Sequence, residues 1–384
     1  MTLGISRAFD SGNIEVRDAR RADDVRLAIT PDAGGDHFQW FHYRVTGAAD
    51  TDLRMTIENA GQASFPRGWE GYRACASYDR QRWFRVPTTR YEDGKLIIEH
   101  RPAHDAVYYA YFAPYSLERH RDLVARTAVD PRARLEVLGQ TVDGRDLDLL
   151  RIGAPSDDGK LIAWVIARQH PGESMAEWFM EGFMDRLRDE ADPLSRALLD
   201  DVVFYCVPNM NPDGSRRGHL RNNAAGANLN REWAEPSLER SPEVYLVRER
   251  MRQTGVHFCL DVHGDEALPY NFIAGPDGMA DLPPHVLAGR DAYAEALKRS
   301  SPDFQTEHGY PRMPPGKGNP KMATNHVAAH FGAVSLTFEQ PFKDNADLPD
   351  ETYGWSPARC DRLGRAQLDA LYAILPLLRD AARG

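Results

Sequence analysis

No stretch of this 384-residue chain approaches the ~20 consecutive apolar residues that a membrane span needs. The opening segment, Met1 to Asp10, has no apolar core of signal-peptide length. These two absences make the cytoplasm the expected compartment. Cysteine is scarce. Cys75, Cys206, Cys259 and Cys360 lie far apart with no Cys-x-x-Cys, which argues against a thiolate zinc site and a disulfide framework and predicts buried free thiols. Positive charge is also short: 47 Lys and Arg stand against 57 Asp and Glu, a net charge of −10. A surface of that sign is not built as a whole for nucleic acid or acidic membranes, so neither is expected as a partner. There is no internal repeat and no low-complexity segment. What is present is a globular composition, 42% apolar and 27% charged, long enough for two or three domains. Oligomeric state stays open.

Residues 1 to about 112 read as short strands with hardly any helix, among them Phe38 to Val45, Leu53 to Ile57 and Lys95 to His100, and predict a small β-sandwich. Cys75 to Pro87 mixes arginines with large aromatics and reads as an edge strand whose arginines snorkel to solvent. After Phe112 the character changes. Pro114 stops the strand and Ser116 can cap a helix carrying Leu117, His120, Leu123 and Val124, so the domains are set at 1–113 and 114–384. Beyond that point strands (161–168, 202–207, 256–262, 333–338) alternate with helices (175–188, one capped by Ser241 and ended by Gly255, 286–299, 357–380), and Asp143-Gly144 marks a hairpin. The fold class is α/β, a mostly parallel or mixed sheet flanked by helices. Pro208 to Trp233 has no regular pattern, yet its tryptophan and turn residues argue for order.

Every candidate for chemistry falls at a strand end or just beyond. The apolar run 161–167 delivers His170-Pro-Gly-Glu173, the run 256–262 delivers His263, and 333–338 delivers Glu339. Open α/β sheets place their ligands at such ends. Imidazole and carboxylate three residues apart can reach one zinc ion from a single turn, with a third ligand and a water completing a catalytic site.

His170-Pro-Gly-Glu173, Asn209-Met-Asn-Pro-Asp-Gly214, Asn228-Leu-Asn-Arg231-Glu-Trp233, Asp261-Val-His263-Gly264 and Thr337-Phe-Glu339 resemble, in that order, the motif series of the zinc metallocarboxypeptidases, or funnelins. The sandwich-like front and the helix opening at Pro114-Tyr-Ser resemble the cytosolic carboxypeptidase branch, relatives of enzymes that trim glutamates from tubulin. The resemblance implies an eight-stranded-type mixed sheet and one Zn²⁺ held by His170, Glu173 and His263. It implies Glu339 as general base, Arg221 on the tetrahedral oxyanion, and Asn230 with Arg231 on the substrate's terminal carboxylate, the substrate being a peptide or protein carboxy terminus. At Asn228 many family members carry Asp, which orients the first zinc histidine; an amide still accepts that hydrogen bond but adds no charge. The family's mobile tyrosine matches no motif, and Tyr310 is preferred over Tyr353. Arg312, Lys317 and Lys321 are candidates for meeting an acidic substrate side chain. Two other readings share these residues: a zinc amidohydrolase acting on N-acyl amino acids, and a binding protein with a vestigial zinc site.

Overall fold

The computed structural model describes residues 3–383. Ten short strands come first: β1 (Gly4–Ser6), β2 (Glu15–Asp18), β3 (Val25–Ala28), β4 (His42–Thr46), β5 (Leu53–Ile57), β6 (Cys75–Ser77), β7 (Phe84–Arg85), β8 (Arg90–Glu92), β9 (Lys95–His100) and β10 (Ala106–Ala110). They build two five-stranded sheets, ordered β1-β4-β10-β6-β7 and β2-β3-β5-β9-β8. Alternation drives this: Leu53, Met55 and Ile57 of β5 turn inward while Arg54 faces out. Tyr43 of the first sheet reaches Met55 Sδ of the second at 3.4 Å, so the sheets face each other across one core.

The remainder runs α1 (Leu117–Ala128), β11 (Ala133–Gln140), β12 (Asp146–Ile152), β13 (Leu161–Ala167), α2 (Met175–Leu187), α3 (Pro193–Asp201), β14 (Val202–Val207), α4 (Pro212–Arg217), α5 (Pro242–Thr254), β15 (Phe258–Asp265), β16 (Phe272–Ala274), α6 (Pro284–Ser300), α7 (Ala323–Phe331), β17 (Val334–Pro341) and α8 (Pro357–Arg383). Its sheet is mixed, in the order β11-β12-β14-β13-β15-β17-β16, with β14, β13, β15 and β17 parallel at the centre. The sheet thus has seven strands among the described residues, one fewer than the resemblance implies. The central strands are apolar along their whole length because both faces are covered. On one face α2 and α8 cross where Gly182 meets the Asp361 carbonyl and Gly364 the Phe179 carbonyl; a Cβ at either would stand 2.1 Å from that oxygen.

Several local expectations need correction. The stretch 208–233 contains α4, with Asn211 as its cap, Pro212 at its first position and Gly218 in a left-handed conformation at its end. Helices α3 and α7 and the short strand β16 were not apparent from periodicity, being three to nine residues long. Ser116 does cap α1, accepting from the Arg119 N–H at 3.2 Å. Ser241, by contrast, stands at the start of α5 without capping it, because its hydroxyl accepts from the Ser237 N–H instead. Arg85 does not snorkel: it is buried, donating to the carbonyls of Phe342, Lys343 and Trp355 and so tying the sandwich to the segment after β17. All four cysteines are buried free thiols.

Candidate active site

The parallel register pairs Ala167 with Val262 and His263 with Glu339, so the ends of β13, β15 and β17 open on one place. The chain leaves β13 at Arg168, whose φ of +59° turns it sharply away from the strand. Arg168 is buried, ion-paired to Glu177 of α2, and donates to the carbonyls of Tyr115 and Pro171, both at 2.9 Å. Glu177 also meets His120 Nδ1 at 2.8 Å and accepts from Asn209 Nδ2 at 2.9 Å. Burial opposes a charge on His120, but Asp148 and Glu177 outweigh it and push its pKa up to about 9. A satisfied ionic network therefore braces the loop that presents His170 and Glu173.

Those two residues meet His263 as the strand-end argument requires. The Glu173 carboxylate lies 2.7 Å from His170 Nδ1 and 2.8 Å from His263 Nδ1, and candidate ligand atoms of all three residues fall within 4.8 Å of one another. The outer ring nitrogens are occupied as well. His170 Nε2 donates to Asn228 Oδ1 at 3.1 Å, so the amide does accept the bond expected of it. His263 Nε2 lies 2.9 Å from Asp261 Oδ2, which Gln169 holds at 2.7 Å while Trp233 Nε1 donates to the other end of the Gln169 amide. Burial, with the Arg221 charge, holds the His170 pKa down at about 4 and keeps that imidazole neutral, as a metal ligand must be. Burial also works against charge on His263, yet Asp261 and Glu173 raise its pKa well above the ordinary range. Glu173, despite its burial, is held well below the usual carboxylate range by the two imidazoles. Two inward nitrogens and a carboxylate, with both outer nitrogens fixed by oxygen acceptors, form a donor set that fits Zn²⁺.

Beside the triad lies a cleft of about 840 Å³, lined among others by Glu339, Arg221, Asn230, Arg231 and Tyr310. Glu339 Oε2 is buried and has no hydrogen-bond partner among the described residues. Burial, reinforced by Glu173, Asp265 and Glu266 against the pull of His263, lifts its pKa well above the ordinary range. The Tyr310 hydroxyl donates to Asp265 Oδ2 at 2.6 Å and lies 3.3 Å from Glu339 Oε1, whereas Tyr353 does not line the cleft. Asn230 uses its Oδ1 to accept from the Ala323 N–H at 2.9 Å and turns its Nδ2 toward His263. Among the described residues neither Arg221 nor Arg231 has a carboxylate partner, although burial and the Arg221 charge both depress the Arg231 pKa. Arg216 and Arg217 face Asp10 and Asp143 instead. Of the three cations proposed for specificity only Arg312 lines the cleft, and it pairs with Asp291 at 3.2 Å; Lys317 and Lys321 do not line it. Asp261 and Gln169 were not assigned roles from sequence, although a carboxylate inside an apolar strand, two residues before His263 and hence on its side of the sheet, was the available signal.

A family profile described as "Zinc carboxypeptidase" matches residues 123–266, and one described as "Cytosolic carboxypeptidase N-terminal domain" matches residues 5–112. The crystal structure of a metallo-carboxypeptidase from Burkholderia cenocepacia superposes with a TM-score of 0.93 at 47% identity, covering 100% of both chains. The chain belongs to the zinc carboxypeptidase family. A metallo-carboxypeptidase from Pseudomonas aeruginosa, in complex with (2-guanidinoethylmercapto)succinic acid, matches at TM-score 0.95 and 46% identity over 98% of this chain and 100% of that one. Cytosolic carboxypeptidase 6 of Mus musculus is 28% identical over 71% of this chain but 55% of its own length. This carboxypeptidase is accordingly a metal-dependent peptide hydrolase acting at peptide carboxy termini.

Proposed function

We propose that this carboxypeptidase uses one zinc ion, held by His170, Glu173 and His263, and removes a single carboxy-terminal residue without a covalent intermediate. The observation that carries the reading is one cleft in which the candidate metal triad, Glu339 Oε2 and two arginines face the same space, Oε2 having no hydrogen-bond partner and the arginines no carboxylate partner among the described residues. Zinc, when bound, acidifies a water and polarises the scissile carbonyl. Glu339 takes a proton from the attacking water on its free Oε2 and passes it to the leaving amine. Arg221 neutralises the developing oxyanion. Arg231 grips the terminal carboxylate with two parallel N–H bonds, and Asn230 Nδ2 supports it. Tyr310 is the candidate for the mobile tyrosine. A preference for acidic terminal residues rests on Arg312 alone among the three cations, and a cytoplasmic location rests on the cytosolic relatives.

The zinc-loaded protein, incubated with a peptide library bearing free and blocked carboxyl ends and read by mass spectrometry, tests this. Loss of one residue from unblocked peptides only is the expected outcome. No change in any peptide, or cleavage of N-acyl amino acids alone, overturns it in favour of the binding protein or the amidohydrolase.

A further inference from the structure

Arg221 belongs to a loop that the catalytic part of the chain does not hold by itself. Asp32, buried in the loop after β3, gathers three successive N–H groups: Leu220 at 2.7 Å on Oδ1, and Arg221 and Asn222 at 2.8 Å each on Oδ2. Next to it, the Ala33 N–H donates to His219 Nε2 at 3.1 Å and His219 Nδ1 donates to the Asn222 carbonyl at 2.9 Å, which fixes one neutral tautomer. Gly34 approaches the backbone of Gly226 so closely that a Cβ would stand 3.1 Å from its Cα. The side chain is held from the same quarter. The Arg221 guanidinium lies 5.3 Å from the centre of the Phe65 ring. Phe65 itself is pinned at both backbone groups by the buried Gln39 amide, which accepts at 2.9 Å and donates at 3.0 Å.

We propose that the amino-terminal sandwich is a working part of the active site, with Asp32 and Phe65 as positioning residues for Arg221. The inference rests on the reading of Arg221 as the oxyanion-stabilising group. Its logic is one of division: the carboxylate fixes the backbone of Arg221 and the ring fixes the plane of the guanidinium. Neither consumes a guanidinium N–H, and no side-chain N–H of Arg221 has an acceptor among the described residues. A domain tie made only for stability would gain more by pairing the free charge. This arrangement leaves the donors facing the cleft and pre-aimed, which is what electrostatic stabilisation of a transition state requires.

The test is a double-mutant cycle on a tripeptide substrate with zinc content measured throughout. Asp32→Asn turns an amide NH₂ toward N–H donors and lowers kcat at least ~10-fold, since small misplacements of a charged group are costly. Phe65→Leu, which leaves the buried carboxylate alone and keeps the fold, lowers kcat about threefold, as loss of a partly buried cation–π contact implies. In both, KM and zinc affinity stay within about twofold of the parent. In an Arg221→Ala background either substitution changes kcat by less than about twofold, because the group being positioned is gone. Equal losses in the two backgrounds overturn the inference. So does a fall in zinc affinity that tracks the fall in kcat, because the Leu220 carbonyl also accepts from the Gly172 N–H of the metal loop at 2.9 Å. Full kcat in Arg221→Ala removes the oxyanion reading and the inference with it, whereas a loss there with none in Asp32→Asn and Phe65→Leu removes the inference alone.

Discussion

Around the metal triad, each ligand is tied to a second group drawn from the sheet or its immediate loops: Asn228 on His170, Asp261 on His263, and both imidazoles on Glu173. Across the cleft the plan is different. Among the described residues Arg221 and Arg231 carry no ionic partner; Arg221 leaves its side-chain donors open, and Arg231 gives one Nη1 bond to the Asn230 carbonyl at 2.7 Å and leaves the rest of its fork free. The difference fits the chemistry proposed for each half. A metal site must exist before substrate arrives and must refuse other geometries, so its bonds are made inside the protein. A carboxylate clamp and an oxyanion donor act by bonds made to substrate, and internal partners would compete with them. The cleft is therefore half closed circuit and half open terminals.

Breaking the chemistry while sparing the closed half has the largest expected effect. Glu339→Gln retains shape and the paired backbone of β17 but loses the proton acceptor, so kcat falls on the order of 10³-fold with zinc content and melting temperature unchanged. Retained turnover would remove Glu339 as general base. The open half fails differently. Arg231→Ala deletes charge-assisted hydrogen bonds worth about 1.5–3 kcal/mol, which raises KM by ~10- to 100-fold and moves kcat little if the contact is made equally in ground and transition states. A fall in kcat with constant KM would instead put Arg231 on the reacting centre.

Much of the closed half was legible in the chain because it is local. An apolar run ending in His-Pro-Gly-Glu, and two further apolar runs ending in His263 and Glu339, state strand ends in linear order, and parallel pairing does the rest. The open half was legible only in residue type. Arg221 could not be separated from Arg216 and Arg217 by spacing, since what distinguishes them is Asp143 and Asp10 on one side and Phe65 on the other, all remote in sequence. Asp32 gave no signal at all: its partners lie 188 to 190 residues away and are backbone N–H groups, which every sequence offers everywhere. Helix α4 was missed for another reason, a six-residue helix being too short for a 3.6-residue period to register. Its Asn211 cap, Pro212 and Gly218 were the readable marks.

The brace behind the metal loop gives a third, smaller effect, and it is one of stability. His120 has a folded pKa of about 9, above the ~6.5 of an unfolded histidine. Its contribution is thus fully present below about pH 6.5 and is lost as pH rises through about 9, a span worth roughly 3 kcal/mol. Chemical denaturation from pH 6 to 10 should show stability falling along that limb, and His120→Gln should be less stable at pH 6 and flatten it. An unchanged slope would mean that the network around Glu177 is held by Arg168 and Asn209 without the imidazolium.

The smallest effect sharpens the comparison from inside the closed half, where the two histidines are braced unequally. His263 leans on a carboxylate and His170 on an amide. A carboxylate at the outer nitrogen adds electron density to the ring and raises the basicity of the nitrogen that faces the metal, and groups in that position typically change metal affinity 10- to 100-fold. Asn228→Asp preserves the oxygen that accepts from His170 Nε2 and from the Asn230 N–H at 3.1 Å, so the loop has no reason to move. Zinc should bind about tenfold more tightly, measured by competition with a chelator, and its release should slow in step. The same substitution places a negative charge near the arginines of the open half, so KM for peptides should rise slightly rather than fall. Tighter zinc with a small rise in KM would show the two halves to be coupled only through charge; unchanged zinc affinity would mean that the amide already orients His170 as well as a carboxylate can, and that orientation rather than charge sets the metal's grip.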